Sequence, residues 1–407
     1  METWTRRFPT MPHFEPLAQR LTEGEVILYG LGSLGRQVFP LLEERGLKVR
    51  AIFDSDPAWR GQSFQGTPVF QPEEYNGPYL PVVIASYIYY AEMAERLDVL
   101  GHKDYLPYLF LFFDREIDED SYFDHVMGWE HLRKRLGHTR RTGVEEFRLR
   151  QVDLVVTEKC SLRCRDCSNL MQYFNSPDDT DFDQAMRSVA RLFEAVDHIS
   201  QLRLLGGEPL MNRDLGRYVQ ALQKYWERFD FIVIFTNGTI LPSAGELERF
   251  QTGNVAFFVS DYGHKNQKLE AMTALLRRHG LPLRQTVMTR WQDCAGLRRY
   301  GRSEEQSREV LKQCCVQDIP SIKDGRLFRC PLAGNAAALG ALPPDLNEYV
   351  DLDDPSIPAA ELRGQIKELI GLEILKACDY CGGRPKGLAD IPAAVQAGAP
   401  LSYTRYS

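Results

Sequence analysis

Short hydrophobic runs alternate with amphipathic segments along the first hundred residues. Apolar runs at 25–29, 48–53 and 81–85 predict buried strands, and helical periodicity predicts helices over 36–45 and 90–100. Gly46 directly follows the first of these helices, which predicts a left-handed cap at its end. Strands and helices at this spacing predict a parallel sheet.

A second α/β series begins at Leu149, after a charged, helical segment (116–148) that we interpret as a connector. Helices such as 182–196 and 215–228 lie between its strands, and this repetition favours a complete or partial β/α barrel. The C-terminal part loses the rhythm and contains short strands, turns and five cysteines, as is typical of a small metal-stabilised domain. The predicted strands are 152–156, 201–205, 231–235, 255–260 and 283–289, and the predicted domains are 1–115, 116–148, 149–305 and 306–407.

Composition narrows the class of protein. Of 407 residues, 43% are hydrophobic and 26% charged, which is typical of globular domains. The net charge of −7 argues against a nucleic-acid partner. The sequence contains neither an apolar run of about 18 residues nor a signal-peptide core, so we expect a cytoplasmic protein without a membrane segment. In a reducing compartment, the cysteines of such a chain usually serve a metal site or catalysis.

Three cysteines follow the first strand of the second series. Cys160, Cys164 and Cys167 have the spacing C-x3-C-x2-C, which lets three thiolates converge on one face of an iron–sulfur cluster. Three ligands leave one iron open for a substrate or a cofactor. The alternatives are a zinc site or chance clustering, but zinc prefers four ligands, usually as two C-x2-C pairs.

Further motifs lie at the ends of the next three predicted strands. Together with the cysteine triad, they resemble the radical S-adenosylmethionine (radical SAM) superfamily over residues 149–381. The strand ends carry a GGEP motif, a TNG motif and a polar pair that sits where a ribose contact is expected. The residues are Gly206, Gly207, Glu208 and Pro209 in the first, Thr236 and Asn237 in the second, and Ser260 and Asp261 in the third.

The resemblance implies both cofactors and chemistry. A 4Fe–4S cluster on the triad binds S-adenosylmethionine and cleaves it reductively, and the resulting 5′-deoxyadenosyl radical abstracts hydrogen from a C–H bond. Gly206 would allow close approach to the methionine part of the cofactor, and Glu208 would meet its ammonium group. A flavodoxin- or ferredoxin-type protein is the expected electron donor. One departure is Asp166, because many members carry an aromatic residue just before the third cysteine.

Four later cysteines form a second pattern. Cys315 and Cys330 have the spacing C-x9-G-x4-C, and Cys378 and Cys381 follow as C-x2-C. This resembles the twitch form of the SPASM extension and implies one auxiliary 4Fe–4S cluster. A four-cysteine zinc site is the alternative that spacing leaves open. Cys314 can replace its neighbour Cys315 as ligand, but the matching spacing starts at Cys315.

Two cysteines, Cys294 and Cys314, remain outside both clusters. The simplest interpretation is a small buried hydrophobic side chain. The functional interpretation is a catalytic thiol that returns a hydrogen atom to a substrate radical, which would make the enzyme an epimerase.

The N-terminal series carries its own motif. Gly30, Gly32 and Gly35 form G-x-G-x-x-G between a strand and a helix, and Asp54 ends the next strand, where a ribose hydroxyl would be held. The segment also resembles the Rossmann-like N-terminal domains found beside sugar-modifying enzymes. Three interpretations stay open: nicotinamide binding, binding of a nucleotide sugar or similar phosphate, and a docking domain without ligand.

The expected fold is α/β, with an N-terminal Rossmann-like parallel sheet, a central partial (β/α)6 radical SAM barrel and a small C-terminal twitch-like iron–sulfur module. The expected function is C–H abstraction from a sugar, aminocyclitol or nucleotide-linked sugar, leading to oxidation or epimerisation. One alternative is a maturase of a ribosomally made peptide, although such enzymes usually carry a winged-helix leader-binding domain. Another is a non-catalytic iron–sulfur or zinc protein, which leaves the GGE residues unexplained.

Overall fold

The computed structural model describes residues 5–87, 89–142, 147–251, 254–346, 348–383 and 390–406. The chain divides into two compact units after residue 143. The helix predicted within the connector belongs to the first unit, and residues 143–146 of that connector lie outside the described residues. Among the described helices, none is both long and apolar enough to cross a bilayer.

The first unit contains eight strands and four α-helices within the described residues. The strands are β1 Thr5–Arg7, β2 Gly24–Tyr29, β3 Leu47–Phe53, β4 Ser63–Phe64, β5 Thr67–Phe70, β6 Val82–Ile84, β7 Tyr105–Pro107 and β8 Glu116–Asp118, and the helices are α1 Glu15–Arg20, α2 Ser33–Glu44, α3 Tyr90–Val99 and α4 Glu119–Thr142.

Six of these strands form one sheet in the order β4-β5-β3-β2-β6-β7, and its neighbours are parallel except for β4 and β5. The predicted parallel sheet is therefore confirmed. Its parallel strands have the relative order 3-2-1-4-5 that is found in doubly wound folds. Gly46 has φ +79°, so the predicted left-handed residue does follow α2.

The second unit carries the remaining elements. The strands are β9 Arg148–Thr157, β10 His198–Gly206, β11 Phe229–Thr236, β12 Val255–Asp261, β13 Leu283–Val287, β14 Arg290–Gln292, β15 Ser321–Lys323, β16 Arg326–Phe328, β17 Tyr349–Asp351 and β18 Asp390–Pro392, and the helices are α5 Phe182–Ala195, α6 Leu215–Leu222, α7 Ala244–Phe250, α8 Leu269–Arg278, α9 Glu304–Gln313, α10 Pro331–Ala338 and α11 Ala359–Gly371.

Strands β9 to β13 lie side by side in chain order and are all parallel, which confirms a partial barrel. A sixth parallel strand, β15, pairs with β9 at the opposite edge from β13, and β16 and β17 extend that edge in antiparallel fashion. The predicted boundary between 305 and 306 therefore runs within one compact unit.

Helices α5 to α8 cover one face of this sheet because each has an apolar side. In α5, for example, Ala185, Val189 and Leu192 are buried against the sheet. The helix begins at a standard cap, in which the Asp181 carboxylate accepts a hydrogen bond from the Gln184 amide at 2.7 Å. Apolar side chains of the strands complete this core.

The register of the parallel strands brings the predicted motifs to one edge of the sheet. Gly206 pairs with Thr157, so the GGEP segment starts beside the strand that leads to the cysteine triad. Thr236 pairs with Val259 on β12, one residue before Ser260. Since the carboxyl ends of parallel strands share one edge, motifs that are far apart in sequence become neighbours.

Candidate active site

A cavity of about 390 Å³ opens at this edge of the sheet. All three cysteines of the triad line it, and so do side chains from the ends of β10, β11 and β12. The predicted site residues that line it are Cys160, Cys164, Cys167, Gly206, Gly207, Thr236, Asn237, Ser260, Cys294 and Cys315. The structure therefore brings together most of the residues that the sequence singled out in the barrel.

The triad loop is held by a segment that the sequence analysis did not connect with it. Gln396 donates from Nε2 to the Cys164 Sγ at 3.4 Å and accepts at Oε1 from the Arg163 amide at 2.8 Å. Backbone hydrogen bonds join Arg165 to Val395 at 2.7 Å and Ala397 to Arg163 at 2.7 Å. No local signal predicts a contact across more than 230 residues, because only the tertiary fold creates it.

Two glycines allow the GGEP segment to lie directly against the triad loop. A Cβ atom on Gly206 would stand 2.0 Å from the Thr157 carbonyl oxygen, and one on Gly207 would stand 2.1 Å from that of Lys159. Gly206 also has φ +144°, which side chains rarely allow. Glycine is thus required at both positions because the two backbones are in direct contact. The predicted contact of these glycines with the cofactor stays a prediction.

Glu208 is wholly buried and joins two loops. Its carboxylate accepts hydrogen bonds from the Asn237 amide at 2.7 Å, from the Thr236 hydroxyl at 2.9 Å and from the Leu210 amide at 3.2 Å. Burial raises the pKa of this carboxyl to about 7, and the three hydrogen bonds oppose that rise. Its predicted contact with the ammonium group of the cofactor stays a prediction, as does a role for the neighbouring Pro209.

The TNG loop contacts the triad through Asn237. Its Nδ2 donates to the Ser161 hydroxyl at 3.1 Å and lies 3.7 Å from the Cys160 Sγ. Gly238 has φ +69° and turns the chain away after this contact. At the next strand end, Ser260 lines the cavity, whereas Asp261 accepts hydrogen bonds from the Gly263 amide and the Gln285 side chain.

Aromatic side chains lie beside the triad although Asp166 occupies the position before its third cysteine. Tyr262 and Trp291 pack edge to face with ring centroids 5.3 Å apart, and both line the cavity. Burial raises the pKa of the Tyr262 phenol, and the charges of the three thiols add to the rise. Asp166 is paired with Arg165 at 3.0 Å.

The triad fits a thiolate-bound cluster by its chemistry. Burial and the charge of Cys167 raise the pKa of the Cys164 thiol to about 11, and that of Cys160 is raised further. A metal that coordinates such buried thiols offsets their charge and deprotonates them. The amide donors of Gln396 and Asn237 provide hydrogen bonds to sulfur, as iron–sulfur sites require.

A charged pair lines the interior of the barrel beneath the motifs. Asp153 on β9 lies opposite Arg203 on β10, with Oδ1 3.0 Å from Nε, and Asp153 is only 1% exposed. The Arg203 guanidinium lies 4.4 Å from the ring centre of Phe235, which stacks on Phe258 at 4.9 Å. All four residues line the cavity. The signal that could have revealed this pair was Asp153 within the otherwise apolar predicted strand 152–156.

Beside the second cysteine cluster, Cys314 is one of the neighbours of the Cys378 thiol. Charges on Cys330, Cys381 and Cys314 act on the Cys378 thiol, and burial is the main reason for its raised pKa. Cys315 instead lines the active-site cavity. The two neighbours diverge because Cys314 ends helix α9, after which the chain turns. Cys314 therefore lies near the Cys378 thiol and Cys315 lines the cavity, while the predicted roles of Cys315 as a ligand and of Cys314 as a catalytic thiol stay predictions.

The loops that carry this cluster are well anchored. The Arg302 side chain donates to the carbonyl oxygens of Cys378 and Cys381, the latter at 2.6 Å. Gly325 of the C-x9-G-x4-C pattern has φ +76°, and Asp324 before it has φ +48°. Two successive residues with positive φ form the tight turn of the β15–β16 hairpin, and that hairpin leads the chain directly to Cys330.

In the first unit, the three glycines and Asp54 form a tight strand-to-helix turn. A Cβ atom on Gly35 would stand 1.8 Å from the Gly30 carbonyl oxygen, and Gly32 precedes α2. Asp54 accepts hydrogen bonds from the Leu31 amide at 2.6 Å and the Asp56 amide at 2.8 Å. This carboxylate therefore fastens the glycine turn, and binding of a nucleotide there stays a prediction.

A family comparison identifies the class of the parallel partial barrel that carries three cysteines after its first strand. Residues 154–260 match the model of the radical SAM superfamily. The chain thus contains a radical SAM domain, whose superfamily uses a 4Fe–4S cluster and S-adenosylmethionine.

Curated relatives resemble part of the chain. The GTP 3′,8-cyclase of Xanthomonas axonopodis pv. citri (strain 306) is 36% identical over 100 residues, which cover 23% of this chain and 28% of the relative. That of Campylobacter jejuni subsp. jejuni serotype O:6 is 26% identical over 141 residues, covering 33% and 42%. The matched part thus spans less than half of these relatives.

Two solved structures match part of the chain at low identity. BtrN in complex with AdoMet and 2-DOIA is 14% identical, with a TM-score of 0.38, and the match covers 58% of this chain and 93% of that one. Streptococcus suis SuiB bound to S-adenosylmethionine is 14% identical, with a TM-score of 0.30, and the match covers 59% and 53%.

Proposed function

We propose that this radical SAM enzyme removes a hydrogen atom from a C–H bond of a sugar, an aminocyclitol or a nucleotide-linked sugar. The main support for this proposal is the lining of the cavity, where the Asp153–Arg203 pair lies beside the stacked rings of Phe235 and Phe258. Hydroxyl and amino groups both donate and accept, so they suit a carboxylate next to a guanidinium. An aromatic face suits the apolar side of a sugar ring. An apolar peptide side chain would leave the charged pair desolvated without new partners.

The cofactors supply the radical chemistry when bound, and the protein orients them and excludes water. Cys160, Cys164 and Cys167 would hold the catalytic cluster. The glycine edge formed by Gly206 and Gly207 would lie along the methionine part of S-adenosylmethionine. Tyr262, Trp291 and the Gln396 segment shield the thiols from solvent. A flavodoxin- or ferredoxin-type protein would deliver the electron.

We further propose that Cys314, Cys330, Cys378 and Cys381 hold one auxiliary 4Fe–4S cluster. Four protein ligands leave no open iron, so this site suits electron transfer rather than substrate binding. Oxidation of the substrate would pass an electron to this site. Epimerisation would instead require a thiol within the cavity.

The test measures transfer of deuterium from candidate substrates into 5′-deoxyadenosine. The reconstituted protein, S-adenosylmethionine and dithionite are incubated without oxygen with deuterated myo-inositol, 2-deoxystreptamine, UDP-N-acetylglucosamine or GTP. We expect transfer from a sugar or cyclitol. Transfer from GTP alone, or from none of the four, would contradict the proposed substrate class.

A matched pair of variants then tests the cavity. We expect D153N to reduce substrate-dependent 5′-deoxyadenosine at least tenfold, because the partly buried Arg203 loses its counter-charge in the cavity. Substrate-independent cleavage of S-adenosylmethionine should persist. The control D183N removes a carboxylate from the exposed side of α5 and should change neither rate. Equal rates for D153N and the unaltered protein would exclude the pair from substrate binding.

A further inference from the structure

A buried arginine beside the second cysteine cluster has no role in the function proposed so far. Arg329 lies between β16 and α10, directly before Cys330, and is 5% exposed. Over the described ranges of the chain, its Nε and Nη1 atoms are buried without a hydrogen-bond partner. The Asp318 carboxylate is 3.8 Å from Nη2, which is an ion-pair distance rather than a hydrogen bond.

The surroundings of Arg329 identify the kind of partner that is missing. Cys314, Cys330 and Cys378 lie close enough for thiolate charges to act on the guanidinium. Guanidinium groups always carry their charge and offer up to five N–H donors, so a buried one needs acceptors of negative charge. Among the described residues, no protein acceptor lies within hydrogen-bond distance of Nε or Nη1, whereas the sulfurs of a cluster held by these cysteines would be acceptors of negative charge.

A zinc ion and an iron–sulfur cluster would satisfy the guanidinium differently. Zinc bound to four thiolates presents only the four cysteine sulfurs, whose lone pairs are partly used in coordination. A 4Fe–4S cluster adds bridging sulfides, and hydrogen bonds to cluster sulfurs are among the determinants of its reduction potential.

We infer that Arg329 donates hydrogen bonds from Nε and Nη1 to sulfur atoms of a 4Fe–4S cluster held by Cys314, Cys330, Cys378 and Cys381, and that it thereby raises the reduction potential of this cluster. The inference rests on the proposed auxiliary site and is independent of the substrate. Arg329 acts through the cluster and is therefore a positioning residue. A positive charge beside the cluster stabilises the reduced form, which carries one more negative charge.

The experiment uses the full chain with C160A, C164A and C167A, so that only the auxiliary site can bind iron. After anaerobic reconstitution, iron, sulfide and zinc are counted per chain, and a redox titration followed by EPR gives the potential. We expect about four irons, as in one 4Fe–4S cluster. Adding C314A should abolish iron binding, whereas adding C315A should leave it intact.

In the same background, R329M should shift the potential to a more negative value, and R329K should shift it less. The control R326M removes a guanidinium of β16 that lies over the ring of Tyr349 on β17, and it should leave the potential unchanged. If R329M does not fold, the test compares R329K with the parent chain, and we still expect a more negative reduction potential in R329K.

The possible failures are distinguishable. One zinc and no iron in the triple variant would overturn the auxiliary cluster itself. Iron retained in C314A and lost in C315A would overturn the ligand set. A potential that is the same in R329M, R329K and the parent would overturn the role of Arg329 alone. None of these readouts depends on the substrate proposed above.

Discussion

Replacing Gly207 with alanine tests whether the GGEP segment and the triad loop form one rigid site. The new Cβ would stand 2.1 Å from the Lys159 carbonyl oxygen and 3.0 Å from the Cys160 Cβ. An ordinary contact begins near 3.4 Å, so the two backbones must separate by more than 1 Å. That movement breaks the hydrogen bonds from Gly207 to Thr157, at 2.9 Å, and from Glu208 to Lys159, at 2.8 Å. At about 1 kcal/mol each, their loss is roughly 2 kcal/mol.

The larger effect falls on catalysis, because the displaced segment contains Cys160, which we propose as a cluster ligand. A misplacement of about 1 Å in a catalytic site reduces rates about 100-fold. We therefore expect G207A to lower dithionite-driven formation of 5′-deoxyadenosine by about that factor, with reduced iron at the triad. The control G364A adds a Cβ with no atom within 4 Å on the exposed side of α11, and should stabilise the helix by up to about 1 kcal/mol. A G207A protein with normal iron content and a normal rate would refute the reasoning.

Three further predictions concern pH, the C-terminal segment and the thiols. Burial raises the pKa of Glu208 from 4.5 to about 7, so the folded state binds the proton more tightly and stability falls as pH rises through that range. The variant E208Q cannot titrate and serves as the reference. Relative to E208Q, the unaltered protein should gain up to about 3 kcal/mol in free energy of unfolding when the pH is lowered from about 8 to about 5. A difference between the two proteins that does not change with pH would contradict the raised pKa. Q396A removes two hydrogen bonds to the triad loop and should speed loss of iron from the triad in the presence of a chelator, while Q365A, on the exposed α11, should not. The Cys294 and Cys315 thiols both line the cavity. If the reaction is an epimerisation, C294A or C315A should therefore lower the yield of product while the formation of 5′-deoxyadenosine stays unchanged. Full yield in both variants would exclude either cysteine as the hydrogen donor.

Local sequence determined the parallel α/β architecture and the loop that bears the triad. Apolar runs such as 231–235 and 255–260 encode buried strands directly, because burial of a strand depends mainly on its own side chains. The triad is equally local, since its three thiols lie within eight residues of one loop.

The tertiary structure decided which distant residues share a site. Spacing selected Cys315 as a ligand, but after helix α9 Cys314 lies near the Cys378 thiol and Cys315 lines the cavity, and for this reason we propose Cys314 as the ligand. Spacing counts residues along the chain, whereas adjacent residues at a helix end point in different directions.

The same limit explains the contacts that only the folded chain reveals. Gln396 reaches Cys164 across more than 230 residues, and Arg203 meets Asp153 because the register of β9 and β10 places them opposite each other. Hydrophobic pattern specifies that a strand is buried, while strand register specifies which polar side chains inside the barrel are paired. The sequence thus determined the class of cofactor, and the packing of distant segments decided the shape and charge of the cavity where a substrate would bind.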